Sequence, residues 1–124
     1  MVPRVSQELQ NQFRLNVQPY LISWFKFDPA DELARTNLST LIIQGTNDPQ
    51  VTLENGYRLA RIHPDINFSK LIQMNHVLKM STTNKRENYA TYSKPMLKLA
   101  EKLIPTIVSF LKNCASSVSS ANDR

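Results

Sequence analysis

The chain has 124 residues, with 15 Lys and Arg against 10 Asp and Glu for a formal net charge of +5, a length that suits one small domain and excludes a two-domain enzyme. Residues 1–78 carry seven basic and seven acidic side chains and residues 79–124 eight and three, so the basic excess falls in the last third, which argues against a nucleic-acid-binding body. One cysteine excludes an internal disulfide framework, two histidines beside it make a structural zinc site a poor fit, and two glycines exclude every glycine-rich phosphate loop.

In chain order, residues 6–26 read as a helix-prone segment. Leu9, Phe13, Val17 and Leu21 recur at four-residue spacing and predict a core-facing stripe, with Pro19 kinking or ending the helix locally. Asp28-Pro29-Ala30-Asp31-Glu32 has the form of a helix start. Asp28 suits the cap, Pro29 the first turn, and the two acidic residues the positive end of the dipole.

The run from Leu38 to Gly45 is short, apolar and ended by glycine, as a strand buried on both faces is. Thr46 to Pro49 reads as a loop, Thr52 as the cap of a helix from Leu53 to about Ile62, and Phe68 to Gln73 as a second strand. His63, directly before Pro64, marks a helix end. Strand, helix and strand in that order predict a βαβ unit with two parallel strands.

Residues 81–93 are polar, show no periodicity and predict a long surface loop. Residues 97–112 predict a last helix with Leu97, Ala100, Ile104, Ile107 and Leu111 on one side, bent or restarted at Pro105. Lys94, Lys98 and Lys102 would line a solvated face. Residues 115–124, rich in serine, predict a disordered tail, which leaves 1–114 as the folded portion. No apolar run reaches the ~18 residues of a membrane span, and the start MVPRVSQELQ lacks the apolar segment of a signal peptide. Localisation stays open, with the cytoplasm as default, and no cofactor or metal is expected.

In parallel sheets, reactive groups gather beyond the carboxyl ends of the strands. Two titratable residues fall there: Asp48, four positions past Gln44, and His76, three past Gln73. If the strands are neighbours, both side chains project from one edge of the sheet. A carboxylate that accepts from one imidazole nitrogen fixes the tautomer and frees the other nitrogen to take a proton from a nucleophile. The blander reading has Asp48 capping a turn and His76 as an ordinary surface residue.

Trp24 to Pro29 (WFKFDP), Leu41 to Val51 (LIIQGTNDPQV), Met74 to Lys79 (MNHVLK) and Asn88 to Pro95 together resemble the C-terminal part of α/β-hydrolases, nearest to the serine-aminopeptidase or monoacylglycerol-lipase branch. The resemblance runs over residues 13–112. It implies a partial α/β-hydrolase fold, with Asp48 matching the triad acid and His76 the general base in that fold's chain order. Gln44 and Gly45 match the strand end that sets the acid loop, and Asn75 the neighbour of the base. The implied activity is hydrolysis of an ester, lipid or peptide substrate without a cofactor.

The departure from the family is large. Its nucleophile sits in a Gly-x-Ser-x-Gly elbow ahead of the acid. Gly45 and Gly56 are eleven apart, and no serine here is flanked two positions away on both sides by glycine. A complete domain of this kind takes about 200–250 residues. The chain is therefore expected to be a C-terminal portion carrying acid and base without the nucleophile, inactive alone. Ser39, Ser69, Ser81 and Ser93 sit in no elbow, and nothing around Cys114 would activate its thiol.

Two strands also leave two open sheet edges, so the chain is expected to self-associate or to need its missing N-terminal half. The alternative is a non-catalytic truncated product that binds or oligomerises through such an edge. Weak salt-sensitive association of the C-terminal lysines with nucleic acid is a third, minor alternative.

Overall fold

A computed structural model describes residue 14 and residues 16–122, the side chains of 117–122 excepted. The chain divides into two units, Met1–Arg35 and Thr36–Arg124.

The first unit holds α1 (Gln18–Trp24) and α2 (Pro29–Ala34). Leu9 and Phe13 of the expected stripe lie outside the described residues. Val17 and Leu21 are half-buried, and no residue of α1 is buried. Pro19 falls in the first turn of α1, not in a helix interior. The amide that proline lacks has no partner in a first turn, so the ring starts the helix instead of kinking it. The rings of Tyr20 and Trp24, one turn apart, lie 4.8 Å between centroids. Asp28 caps α2 as its residue type requires, its Oδ1 accepting from the Ala30 N–H at 2.8 Å, with Asp31 and Glu32 in the first turn.

The second unit is an α/β structure built on β1 (Leu41–Gly45), α3 (Leu53–Ala60) and β2 (Asn67–Leu71). The strands pair in parallel from Leu41 beside Asn67 to Gly45 beside Leu71, which is the expected βαβ unit with flanking helices. Thr52 caps α3 by accepting from the Asn55 N–H. The helix lies close on the sheet because Gly56 has no side chain. A methyl group there would stand 3.2 Å from the Gln44 side chain and from the Phe68 ring. Tyr57 and Phe68 close the same contact, ring to ring at 5.0 Å.

β2 ends at Leu71, two residues before the expected Gln73. Gln73 takes a left-handed backbone (φ 59°), which no strand accommodates. Inside the stretch expected to be a plain loop stands α4 (Lys85–Ala90), with Asn84 as its cap accepting from Glu87 N–H. The final helix, α5 (Leu103–Asn122), begins six residues later than expected and continues through the expected tail as far as 122. Pro105 is the third residue of α5, where its missing N–H costs nothing. Leu97 and Ala100 precede the helix.

The core is small: Leu71, Met74, Ala100 and Leu103 are buried, with Ile43 and Ile107 packed against them. A second apolar stripe on α5, Ile104, Val108 and Leu111, is exposed.

The two sheet edges differ. Asn67 N–H donates to Thr40 and Thr46 N–H to Leu71 O. In a parallel ladder, that phase turns the amide and carbonyl groups of Leu41, Ile43 and Gly45 away from β2. β2 carries Lys70 and Asn67 in the manner of a protected edge, whereas β1 (LIIQG) has no charge, proline or bulge. No helix among the described residues is long and apolar enough to cross a membrane.

Candidate functional site

Gly45 places the two loops at the carboxyl end of the sheet against each other. A methyl group on its α-carbon would overlap the carbonyl oxygen of Met74 and come within 2.7 Å of the carbonyl carbon. Only glycine lets the end of β1 pass beneath the loop that follows β2. The loops are then laced together. Asn47 N–H donates to Met74 O at 3.0 Å, Gln73 N–H to Thr46 Oγ1 at 2.8 Å, and Asn47 Nδ2 to Ser81 O at 2.6 Å.

The loop after β1 presents Asp48. Its Oδ1 accepts from the N–H groups of Gln50 at 2.8 Å and Val51 at 2.9 Å, a turn that fixes the carboxylate. Its Oδ2 lies 2.9 Å from His76 Nδ1. The Asp48 side chain is 9% exposed and the imidazole 40%. Burial, the strongest single influence, pushes the Asp48 carboxyl up. The hydrogen bonds from Val51, Gln50 and His76 together outweigh it and hold the group below its ordinary 3.8. An ionised carboxylate can only accept, so His76 Nδ1 is the donor, and in the neutral imidazole the lone pair is then on Nε2.

His76 sits at the tip of a tight reversal. Met74 bridges Met80 in antiparallel sense, Asn75 N–H donates to Lys79 O, and Leu78 N–H donates to Asn75 O. The reversal is bracketed by the only two non-glycine residues with positive φ among those described, Gln73 (59°) and Leu78 (63°). Such conformations cost about 1–3 kcal/mol each and persist only where surrounding bonds impose them.

The expected pair is thus brought together at hydrogen-bond distance. Gln44 and Gly45 lie at the end of β1, from which the loop carrying Asp48 leaves. Gln44 is buried, its Nε2 donating to Val51 O at 3.0 Å. Asn75, next to His76, is almost fully buried and ties its loop to α4. Its Nδ2 donates to Asn88 Oδ1 at 3.0 Å and Thr91 Oγ1 at 2.7 Å, and its Oδ1 accepts from Lys79 N–H at 3.0 Å. Lys79 Nζ in turn reaches the carbonyls of Pro95 and Leu97.

Sequence reasoning missed Asn47, Asn88 and Thr91. A signal for α4 was nonetheless present: Asn84, three residues before Glu87, is the pattern of a capped helix start.

Cys114 and His63 stand elsewhere. Both line a cavity of about 420 Å³ with residues 36–40 and 65–67, at the end where the strands begin. Among the described residues, no group of three or more His, Cys, Asp and Glu is placed to hold a metal ion.

Comparison with protein-family models, with curated proteins and with solved structures finds no match to this chain.

Proposed function

We propose that the chain is the acid-and-base-bearing portion of a serine-type hydrolase of the α/β-hydrolase class, acting on an ester, lipid or peptide bond. The observation that carries the reading is the 2.9 Å contact between Asp48 Oδ2 and His76 Nδ1, with the second carboxylate oxygen held by two backbone amides. A capping aspartate needs only those amides. The second oxygen, committed to an imidazole with an open ring edge, is what an orienting carboxylate provides.

In the complete protein, a serine contributed from outside residues 1–124 attacks the substrate carbonyl while His76 Nε2 takes its proton. Asp48 remains ionised and stabilises the imidazolium. His76 then gives the proton to the leaving group, and water, activated by the same nitrogen, releases the acyl group and regenerates the serine. Residues 1–124 contain no Gly-x-Ser-x-Gly elbow, so on this reading they are inactive alone.

The test is a longer in-frame protein carrying Gly-x-Ser-x-Gly upstream, treated with a fluorophosphonate probe. Labelling is expected, with turnover falling about 10⁴-fold or more in Asp48→Asn and His76→Ala. Unchanged labelling and turnover in both variants refute the proposal.

A second reading is favoured by the uncharged outer edge of β1: the chain acts as a non-catalytic module that associates through that edge with another subunit or another copy. It predicts association that survives both substitutions.

A further inference from the structure

The residues immediately before the acid and before the base are joined by one buried side chain, that of Asn88. This residue lies on α4, forty positions past Asp48, and is 2% exposed. Its Nδ2 donates to Asn47 O at 2.7 Å and to Thr82 O at 3.1 Å, while its Oδ1 accepts from Asn75 Nδ2 at 3.0 Å. Both donors and the acceptor of the carboxamide are used, and no buried side-chain polar atom among the described residues lacks a partner. Thr91 completes the cluster by accepting from Asn75 and donating to Asn88 O at 2.7 Å.

We propose that Asn88 is the positioning residue of the Asp48–His76 pair, its carboxamide setting the separation of the two loops so that carboxylate and imidazole meet. The assignment rests on the acid–base reading of that pair. Three features of the chemistry support it. The bond to Asn47 O acts on the peptide unit that enters Asp48, and the bond from Asn75 acts on the residue that enters His76, so a shift of either loop is felt at the pair. Asn75 and Asn88 are buried in a low-dielectric setting, where a satisfied network is stiff and an unsatisfied member is costly. Aspartate has the shape of asparagine but cannot donate at Nδ2. At this position it would face the carbonyls of Asn47 and Thr82 with an acceptor, driving the acid loop away. Alanine would remove the donor to Asn47 O and leave Asn75 Nδ2 with Thr91 Oγ1 alone, so that the link between the two loops is lost. Asn88 touches neither reacting group and acts through its neighbours.

The experiment uses the full chain and reads the tautomer of His76 by long-range proton–nitrogen correlation from the ring C–H groups at alkaline pH, with His63 as the internal reference. In the wild type, His76 is expected as the Nδ1–H tautomer that Asp48 selects. Asp48→Asn and Asn88→Asp are both expected to return it to the Nε2–H form preferred by free imidazole, while His63 stays unchanged. Asn84→Ala, which removes the cap of α4 and lowers stability without touching the carboxamides, is expected to leave the His76 tautomer as in the wild type. A His76 that is Nε2–H in the wild type, or that ignores Asp48→Asn, refutes the acid–base pair itself. A His76 that follows Asp48→Asn but ignores Asn88→Asp, or that moves equally in Asn84→Ala, refutes the role of Asn88 alone. If Asn88→Asp does not fold, exchange of the wild-type side-chain amide protons decides. Those of Asn75 and Asn88 are expected to be protected relative to those of exposed Asn37, and equal rates overturn the proposal.

Discussion

Gly45 and Met74 approach so closely that the α-carbon of the one lies under the carbonyl of the other, and this contact sets the height at which the loop carrying Asp48 leaves the sheet. Here the obstacle is main chain, which cannot swing aside as a side chain can. Gly45→Ala is therefore expected to destabilise the chain by about 3 kcal/mol or more, in the range of severe overpacking. Gly56→Ala, crowded only by the side chains of Gln44 and Phe68, is expected to cost about 1 kcal/mol. Urea titration of the two variants measures the difference.

The acid dependence of stability follows from Asp48. Its carboxyl is held below 3.8 in the folded chain. A group whose value is depressed on folding favours the folded state at pH above its unfolded value and loses that contribution as pH falls through the folded value. Asp48→Asn is thus expected to be less stable than the wild type at neutral pH, with the gap closing below pH about 4. Paired denaturation curves at neutral and acid pH check the sign. A gap that widens in acid contradicts it.

Gln73 holds a left-handed backbone with an exposed side chain. Glycine adopts that conformation without a Cβ penalty, although it adds entropy to the unfolded chain. The balance predicts that Gln73→Gly is neutral or stabilising by up to about 1 kcal/mol, against the usual loss on introducing glycine. Thermal unfolding reads the difference. Gln73→Val is expected to lose stability, because β-branched residues are the least suited to positive φ.

The uncharged outer edge of β1 predicts concentration-dependent self-association of the isolated chain. The N–H of Leu41 faces away from β2, so Leu41→Pro removes an edge donor without breaking a ladder bond. The expected outcome is a folded variant that sediments closer to monomer than the wild type at equal concentration. Equal sedimentation of the two removes the β1 edge as the contact.

Much of this arrangement could be read in the residues, and the remainder has a physical reason for being hidden. Asp28 and Thr52 cap helices as their chemistry demands, and Leu41 to Gly45 forms the strand that a glycine-ended apolar run predicts. Asp48 and His76 were visible because parallel strands deliver the residues after them to one edge. Asn88 was not, since an asparagine within a polar stretch gives no sign of whether it is solvated or buried. Its burial depends on partners 13 and 41 positions away. Helix limits at Pro19 and Pro105 were misplaced because proline reads alike as a breaker and as a first-turn residue until the flanking caps are known. The start of α5 moved for a further reason: the segment before it was claimed by tertiary bonds, Ala100 N–H donating to Leu78 O and Lys79 bridging Leu99.

Loops that are fastened by carboxamides rather than by aliphatic packing age differently from an ordinary interior. Asparagine is a thermolabile residue, and its slow hydrolysis turns a neutral donor into an anion. Were that to happen at Asn47, Asn75 or Asn88, a heated or long-stored sample would acquire a negative charge in the network that flanks Asp48 and His76. Loss of the Asp48–His76 contact would then precede any change in secondary structure, and fresh preparations kept cold at mildly acidic pH would outlast warm alkaline ones.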